Sequence, residues 1–284
     1  MNNIINIFKG GKKLKEETIK IEIEDENKNE TSKGNVEFID NVENLEYLNK
    51  KDVKGEQDME NNNRIVVNDF QDEKLINIGV ENEEMDLFFI LDRSGSMYGS
   101  ESDTINGFNA FIEKQLAKNL NIRVTTILFD DKYEVLYSRK PIREVKPLTK
   151  DEYYVRGTTS LLDAIGRTIT TYEREVNRAM CVITTDGYEN SSKEFNRFRI
   201  KRMIESCGWE FIYIGADIDS YGEASRIGIR SSHVANYSKT SMGINKMYDA
   251  VGKVTAEYYS KGEIDSDNWK EDLEKDFEDD LEDD

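Results

Sequence analysis

Apolar and polar positions along this chain follow two different periods, and the change of period marks out the elements. Continuous apolar runs at 87–91, 122–129, 179–184 and 210–214, with a shorter one at 233–237, predict strands buried on both faces. Between them, stretches near 103–118, 160–175, 193–206, 219–227 and 240–259 carry apolar residues at helical spacing. The run 133–137 follows 122–129 after only Asp130-Asp131-Lys132, so the two read as a tight antiparallel hairpin. This alternation predicts an α/β fold: a doubly wound, mostly parallel sheet with one antiparallel edge strand and helices on both faces. In such folds a ligand lies beyond the carboxyl ends of the strands, where the strand order reverses.

The pattern fades at both ends. Residues 1–84 contain no Ala, Pro or Trp and are crowded with Asn, Glu and Lys. Within them Ile19, Ile21 and Ile23 alternate as in a half-buried strand, and Phe38, Val42, Leu45 and Leu48 fall at helical spacing. The composition predicts a polar N-terminal extension, largely disordered or folded as a small subdomain. At the other end Trp269, Leu273, Phe277 and Leu281 recur every four residues among Asp and Glu. This acidic amphipathic tail, 262–284, is expected to be poorly ordered by itself. It reads equally as a segment that folds on a basic, apolar partner and as a solubilising appendage. The expected organisation is an extension at 1–84, an α/β domain at 85–261 and the tail at 262–284.

Charge follows the same partition. The net charge is −19 over 284 residues, and residues 262–284 hold 13 acidic side chains against 2 basic ones. The stretch 85–261 holds 24 acidic and 25 basic side chains, the balance of an ordinary globular domain. An acidic chain offers no Lys/Arg surface for phosphates, so no nucleic-acid partner is expected. No run of 18 apolar residues exists, so no transmembrane span is expected. Residues 1–9 lack the basic n-region and long apolar h-region of a secretory signal, which points to a cytoplasmic location. Cys181 and Cys207 are too few for a disulfide framework and lack the spacing of a zinc cluster.

Candidate chemistry gathers on three loops at one edge of the expected sheet. Asp92-Arg93-Ser94-Gly95-Ser96 follows the first strand, Arg156-Gly157-Thr158-Thr159-Ser160 precedes a helix, and Thr185-Asp186-Gly187 follows the fourth strand run. Two carboxylates and several hydroxyls, without His or Cys, suit a hard cation: Mg²⁺, with Mn²⁺ as an alternative. With hydroxyls as direct ligands and carboxylates acting largely through water, such a cation keeps enough positive charge to attract an outside Asp or Glu.

Asp-x-Ser-x-Ser, a later Thr and a strand-end Asp-Gly resemble the metal-ion-dependent adhesion site of von Willebrand factor type A domains. The resemblance spans about 86–260. Aligned on the following Leu161-Leu162-Asp163-Ala164-Ile165, Thr159 rather than Thr158 takes the family's metal-binding place. The resemblance therefore implies Asp92, Ser94, Ser96, Thr159 and Asp186 as metal ligands. Asp163 then falls in the first turn of a helix, where a carboxylate favours the helix dipole and reads as a cap. Residues 211–217 and the closing helix are similar to stand-alone bacterial and phage members of the family.

Enzymatic readings find little support. A strand-end Asp is also the nucleophile of haloacid-dehalogenase-type phosphatases, but those need a second Asp two residues on, where this chain has Ser94. His233, the only histidine, sits at an expected strand start with nothing marking it as a base. No Walker-type phosphate loop is present. No catalytic residue and no enzyme activity are expected. The expected function is a Mg²⁺-dependent protein–protein interaction module that docks a partner carboxylate at the metal. The alternative is a non-catalytic regulatory subunit of an AAA+-type ATPase or another multi-protein enzyme complex. The tail adds one more expectation: its carboxylates, held on a tether, act as a self-ligand at the metal.

Overall fold

The computed structural model describes residues 3–9, 18–25, 30–37, 65–67, 74–76 and 84–282, which fall into two units, Met1–Glu81 and Asn82–Asp284. Among the described residues the first unit holds five strands. β1 (Asn3–Lys9), β2 (Thr18–Asp25) and β3 (Glu30–Glu37) form an antiparallel sheet in that order, and β4 (Ile65–Val67) pairs with β5 (Lys74–Ile76). Ile19, Ile21 and Ile23 lie on β2, paired with Lys9, Ile7 and Ile5 of β1. The helical spacing read at Phe38, Val42, Leu45 and Leu48 lies outside the described residues.

The second unit is built on a six-stranded sheet. Its strands are β6 (Met85–Asp92), β7 (Ile122–Phe129), β8 (Tyr133–Pro141), β9 (Ala179–Thr185), β10 (Glu210–Gly215) and β11 (Val234–Asn236). Their order is β11-β10-β9-β6-β7-β8, with β8 antiparallel at one edge and the rest parallel. Five helices connect or flank them: α1 (Glu101–Ala117), α2 (Leu161–Tyr172), α3 (Arg197–Ser206), α4 (Ser220–Arg226) and α5 (Ser241–Lys261).

The unbroken apolar run of β6 has a simple cause. All eight of its residues are buried, because alternate side chains feed two cores. Leu87, Phe89 and Leu91 share one core with Phe108 and Phe111 of α1 and Val251 and Val254 of α5. Phe88 and Ile90 share the other with Ile165 and Ile169 of α2 and Ile200 of α3. Phe89 meets the rings of Phe108 and Phe111 edge-on at 5.3 and 5.1 Å, and Phe88 stacks on Trp209 at 4.6 Å. Burying each such side chain contributes roughly 1.5–3 kcal/mol. Helices α1 and α5 approach so closely that a Cβ on Gly107 would stand 2.3 Å from the Tyr248 ring.

The chain leaves β6 on one side for β7 and β8, then crosses back to lay β9 on the other. Strand order therefore reverses between β6 and β9, whose carboxyl ends are Asp92 and Thr185. That is where a doubly wound sheet opens a crevice.

The acidic tail departs from the expectation of poor order. It forms α6 (Glu271–Glu282), and Trp269 and Leu273 are buried in the same core as α1 and α5. The edge of β11 explains why. Trp269 Nε1 donates to Ser232 O at 3.1 Å, and Lys270 Nζ donates to Ser231 O and Val234 O, both at 2.8 Å. Glu274 accepts from the Asn236 amide at 3.0 Å and from the Tyr221 hydroxyl at 2.7 Å. Asp276 and Asp272 pair with Lys246 and Lys253 of α5. Of the stripe seen in the sequence, Trp269 and Leu273 are buried against the chain's own core and Phe277 is half-buried, while the polar groups of the tail cover the backbone at β11. No helix among the described residues is long and apolar enough to cross a membrane.

Trp269→Ala is expected to lower the unfolding free energy by about 3–5 kcal/mol, read by urea denaturation. A loss below about 1 kcal/mol would show that the Trp269 anchor of the tail contributes little to the domain.

Candidate metal centre

The centre is built outward from Asp92, the last residue of β6. Its side chain is buried, and both oxygens are engaged by protein donors: Oδ1 accepts from the Ser94 amide at 2.7 Å, and Oδ2 from Thr185 Oγ1 at 2.5 Å. Its backbone carbonyl accepts from the Tyr153 hydroxyl at 2.5 Å. Burial pushes the Asp92 carboxyl up to about 6; the donors from Thr185 and Ser94 oppose that rise, and the Asp186 charge adds to it.

Ser94 opens the short 3-10 turn Gly95–Met97, which places Ser94 Oγ and Ser96 Oγ 3.0 Å apart. Thr159 Oγ1 donates to Ser94 Oγ at 3.1 Å, and Ser96 Oγ donates to Asp186 Oδ1 at 2.5 Å. The structure thus brings Asp92, Ser94, Ser96, Thr159 and Asp186 together. Of the two adjacent threonines, Thr159 is buried among the hydroxyls and Thr158 is exposed. Thr159 is held there by Asn190, whose Oδ1 accepts from its amide at 3.0 Å and whose amide donates to its carbonyl at 3.1 Å. Gly157, at φ +70°, turns the chain into place and receives the Gly95 amide on its carbonyl at 3.2 Å.

Charged side chains fix the loops around this cluster. Arg93 is fully buried, with Nε 3.1 Å from Asp130, Nη2 2.5 Å from Glu134 and Nη1 donating to Glu152 O at 3.1 Å. Arg156 reaches the same Asp130 oxygen at 2.6 Å. Both guanidiniums lie over the Tyr154 ring, at 5.3 and 5.2 Å. Asp163 does not cap its own helix, contrary to the reading of its sequence position. It accepts the amides of Lys193, Glu194 and Phe195 at 2.8–2.9 Å, fastening the loop after β9, while Glu189 takes the capping role through the Leu162 amide at 2.9 Å.

The donor set fits a small hard cation. An octahedral ion with oxygens at about 2.0–2.1 Å needs neighbouring ligands about 2.8–3.0 Å apart. The Ser94–Ser96 and Ser94–Thr159 separations of 3.0 and 3.1 Å lie at and just beyond the upper end of such an edge. A Cβ on Gly187 would lie 2.9 Å from Thr159 Oγ1, 3.1 Å from Ser96 Oγ and 3.8 Å from Ser94 Oγ, so the three hydroxyls face one small space that only glycine leaves open. Among the described residues no three His, Cys, Asp or Glu side chains cluster in a way that could hold a metal. The oxygens that face the space beside Gly187 are Ser and Thr hydroxyls.

Sequence reasoning missed Lys239. Its Nζ lies 2.6 Å from Asp186 Oδ2, an ion pair without the alignment of a hydrogen bond, and donates to Ser96 O at 2.5 Å. Its only sequence signal is its place just beyond the carboxyl end of β11, on the same sheet edge as Asp92. The tail carboxylates Asp272, Glu274 and Asp276 are engaged at α5 and β11, and none of these pairings involves the hydroxyl cluster. His233 precedes β11 at the opposite, amino-terminal edge, buried 3.3 Å from Glu210, and burial lowers its pKa.

Comparison with protein-family models and with curated proteins finds no match to the sequence. Among solved structures, similar folds include proximal thread matrix protein 1 from the mussel byssus, at 17% identity and TM-score 0.46 over 60% of this chain. The chain spans 46% of that protein's length. A second structure of the mussel protein has a zinc-occupied MIDAS motif. The vWF domain of the type V pili tip protein Mfa5 from Porphyromonas gingivalis matches at 10% identity and TM-score 0.48, over 64% of this chain and 98% of its own. A mutant of the PilB minor pilin from Streptococcus sanguinis matches at 12% identity and TM-score 0.48, over 93% of this chain and 81% of its own. None of these reaches a TM-score of 0.5.

Two substitutions probe the geometry. Gly187→Ala is expected to weaken Mn²⁺ binding by roughly 10–100-fold, followed by electron paramagnetic resonance, while far-UV circular dichroism stays unchanged. Asp130→Ala leaves the buried Arg93 with the half-exposed Glu134 as its remaining carboxylate partner and is expected to lower the unfolding free energy by about 1.5–3 kcal/mol in urea denaturation.

Proposed function

We propose that this protein is a non-catalytic interaction module that holds Mg²⁺ at the Ser94–Ser96–Thr159 hydroxyls and docks a carboxylate of a partner protein there. The convergence of three hydroxyls on the space that Gly187 leaves open carries the reading. Ser94, Ser96 and Thr159 supply neutral oxygens. Asp186 contributes charge from one side through its contact with Ser96. Asp92 orients the Ser94 turn and Thr185 from beneath, with both oxygens already accepting.

The oxygens facing the ion are neutral hydroxyls, and of Asp92 and Asp186 only Asp186 has a carboxylate oxygen without a hydrogen bond, so the direct ligands leave the ion's charge largely unneutralised. A bound Mg²⁺ supplies a positive centre that attracts one further anionic oxygen. The surrounding loops are suited to contact: Tyr98, just beyond Ser96, is 79% exposed, and Met242, near Lys239, is 64% exposed. Aromatic and Met side chains placed around a charged anchor are what a protein partner would cover. The resemblance of the three motifs to the metal-ion-dependent adhesion site supports the same reading.

The test is Mn²⁺ binding followed by electron paramagnetic resonance, with acetate as the simplest carboxylate. Acetate is expected to tighten Mn²⁺ retention, and Thr159→Ala to weaken it by roughly 10–100-fold. Equal retention in the parent and in Thr159→Ala would overturn the reading. Capture of a partner from a lysate of the native host in Mg²⁺, lost in EDTA and in Thr159→Ala, would then name the protein that supplies the carboxylate.

A further inference from the structure

We infer that Lys239 is a tethered internal cation that competes with the divalent metal for Asp186, so that metal binding at this centre requires the lysine to swing out. The inference rests on the metal-binding reading above and adds to it a residue that sets the affinity.

The geometry begins with Asp186. Its side chain is fully buried, Oδ1 is taken by Ser96, and Oδ2 faces the Lys239 ammonium at 2.6 Å. The same ammonium donates to Ser96 O, so it binds the carboxylate of one candidate ligand and the backbone of another. A buried carboxylate this close to the buried Asp92 needs a positive neighbour. Lys239 supplies one charge where the metal would supply two. Both cations draw on the same buried carboxylate, and two positive charges held at one carboxylate repel each other. The two states are therefore exclusive: ammonium on Asp186, or metal on the hydroxyls with Asp186 beside it.

The lysine is placed to move. Its side chain is 24% exposed, so a route to solvent is open. It sits on the short link between β11 and α5, next to Thr240, whose Oγ1 caps α5 by accepting the Gly243 amide at 3.0 Å. The flanks of that link are pinned by α6: Glu274 holds the Asn236 amide, and Asp276 pairs with Lys246. With the flanks of the link held, the switch lies in the long side chain, whose second position is out in solvent. Metal affinity is then lowered by the fraction of molecules that hold the lysine in place.

The experiment has two arms on the full chain. In the first, Mn²⁺ affinity is measured by electron paramagnetic resonance at fixed pH and ionic strength. Lys239→Gln is expected to raise the affinity about tenfold or more over the parent, and Lys239→Arg, which keeps the charge, to stay near it. In the second, the unaltered protein is labelled with an amine-reactive acetylating ester, and Lys239 modification is read by mass spectrometry. Its labelling is expected to be several-fold faster in Mg²⁺ than in EDTA, with other lysines unchanged.

If Lys239→Gln binds Mn²⁺ no better than the parent while Thr159→Ala loses it, the inference is overturned and the metal-binding reading stands. If the parent and Lys239→Gln both fail to bind Mn²⁺, both fall. If Lys239 labels at the same rate in Mg²⁺ at saturation as in EDTA, the lysine does not move and the inference is overturned, whatever the variants do.

Discussion

The hydrogen bonds that pin Asp92 are the constraint on which the site depends. Its carboxylate sits at the carboxyl end of β6, buried, with one oxygen on the Ser94 amide and the other on the Thr185 hydroxyl. One side chain therefore ties the loop after β6 to the end of β9, across the point where strand order reverses. A crevice at such a point is open by topology. It becomes a site only when the loops on either side are held at a common spacing, and Asp92 does that from below. Burying this carboxylate is unfavourable and pushes its pKa up, and the two hydrogen bonds it accepts offset part of that cost while they set the spacing of the loops.

Around that pin the chain uses charge as scaffold and keeps neutral oxygens for the centre. Arg93, one residue beyond Asp92, turns away from the hydroxyls to meet Asp130, Glu134 and the Glu152 carbonyl, while Arg156 shares Asp130. These pairs link the loop after β6, the hairpin turn and the segment that leads to Thr159. The hydroxyls gain a rigid surround without a large local charge. Among the described residues, Asp186 and Lys239 are the pair of opposite charges in contact with the cluster itself.

The acidity of the chain has a structural use as well. Glu274, Asp276 and Asp272 of α6 are spent on the edge of β11 and on two lysines of α5. Exposed edge strands invite pairing with other chains, and the tail, with a buried Trp just ahead of its helix and the Glu274 carboxylate on the Asn236 amide, closes this one. The same helix pins both flanks of the link that carries Lys239, through the carboxylates of Glu274 and Asp276.

The sequence by itself determined the local part of this protein. Apolar runs at β6, β7, β9 and β10 are legible because a strand covered on both faces has no reason to alternate, and the tight Asp130-Asp131-Lys132 turn announces the antiparallel edge. The order of the three motifs, and the placing of Thr159 ahead of its helix, were readable because each lies within a few residues of a strand end or helix start. Tertiary structure alone decided what meets across distance. Lys239 reaches Ser96 over 143 positions, Trp269 reaches Ser232 over 37, and Asp163 fastens a loop some 30 residues on. A periodic stripe says that one face is apolar and a charged residue says that it needs a partner. Neither says which surface will cover it, because that depends on the free energy of packing elements that are far apart in the chain.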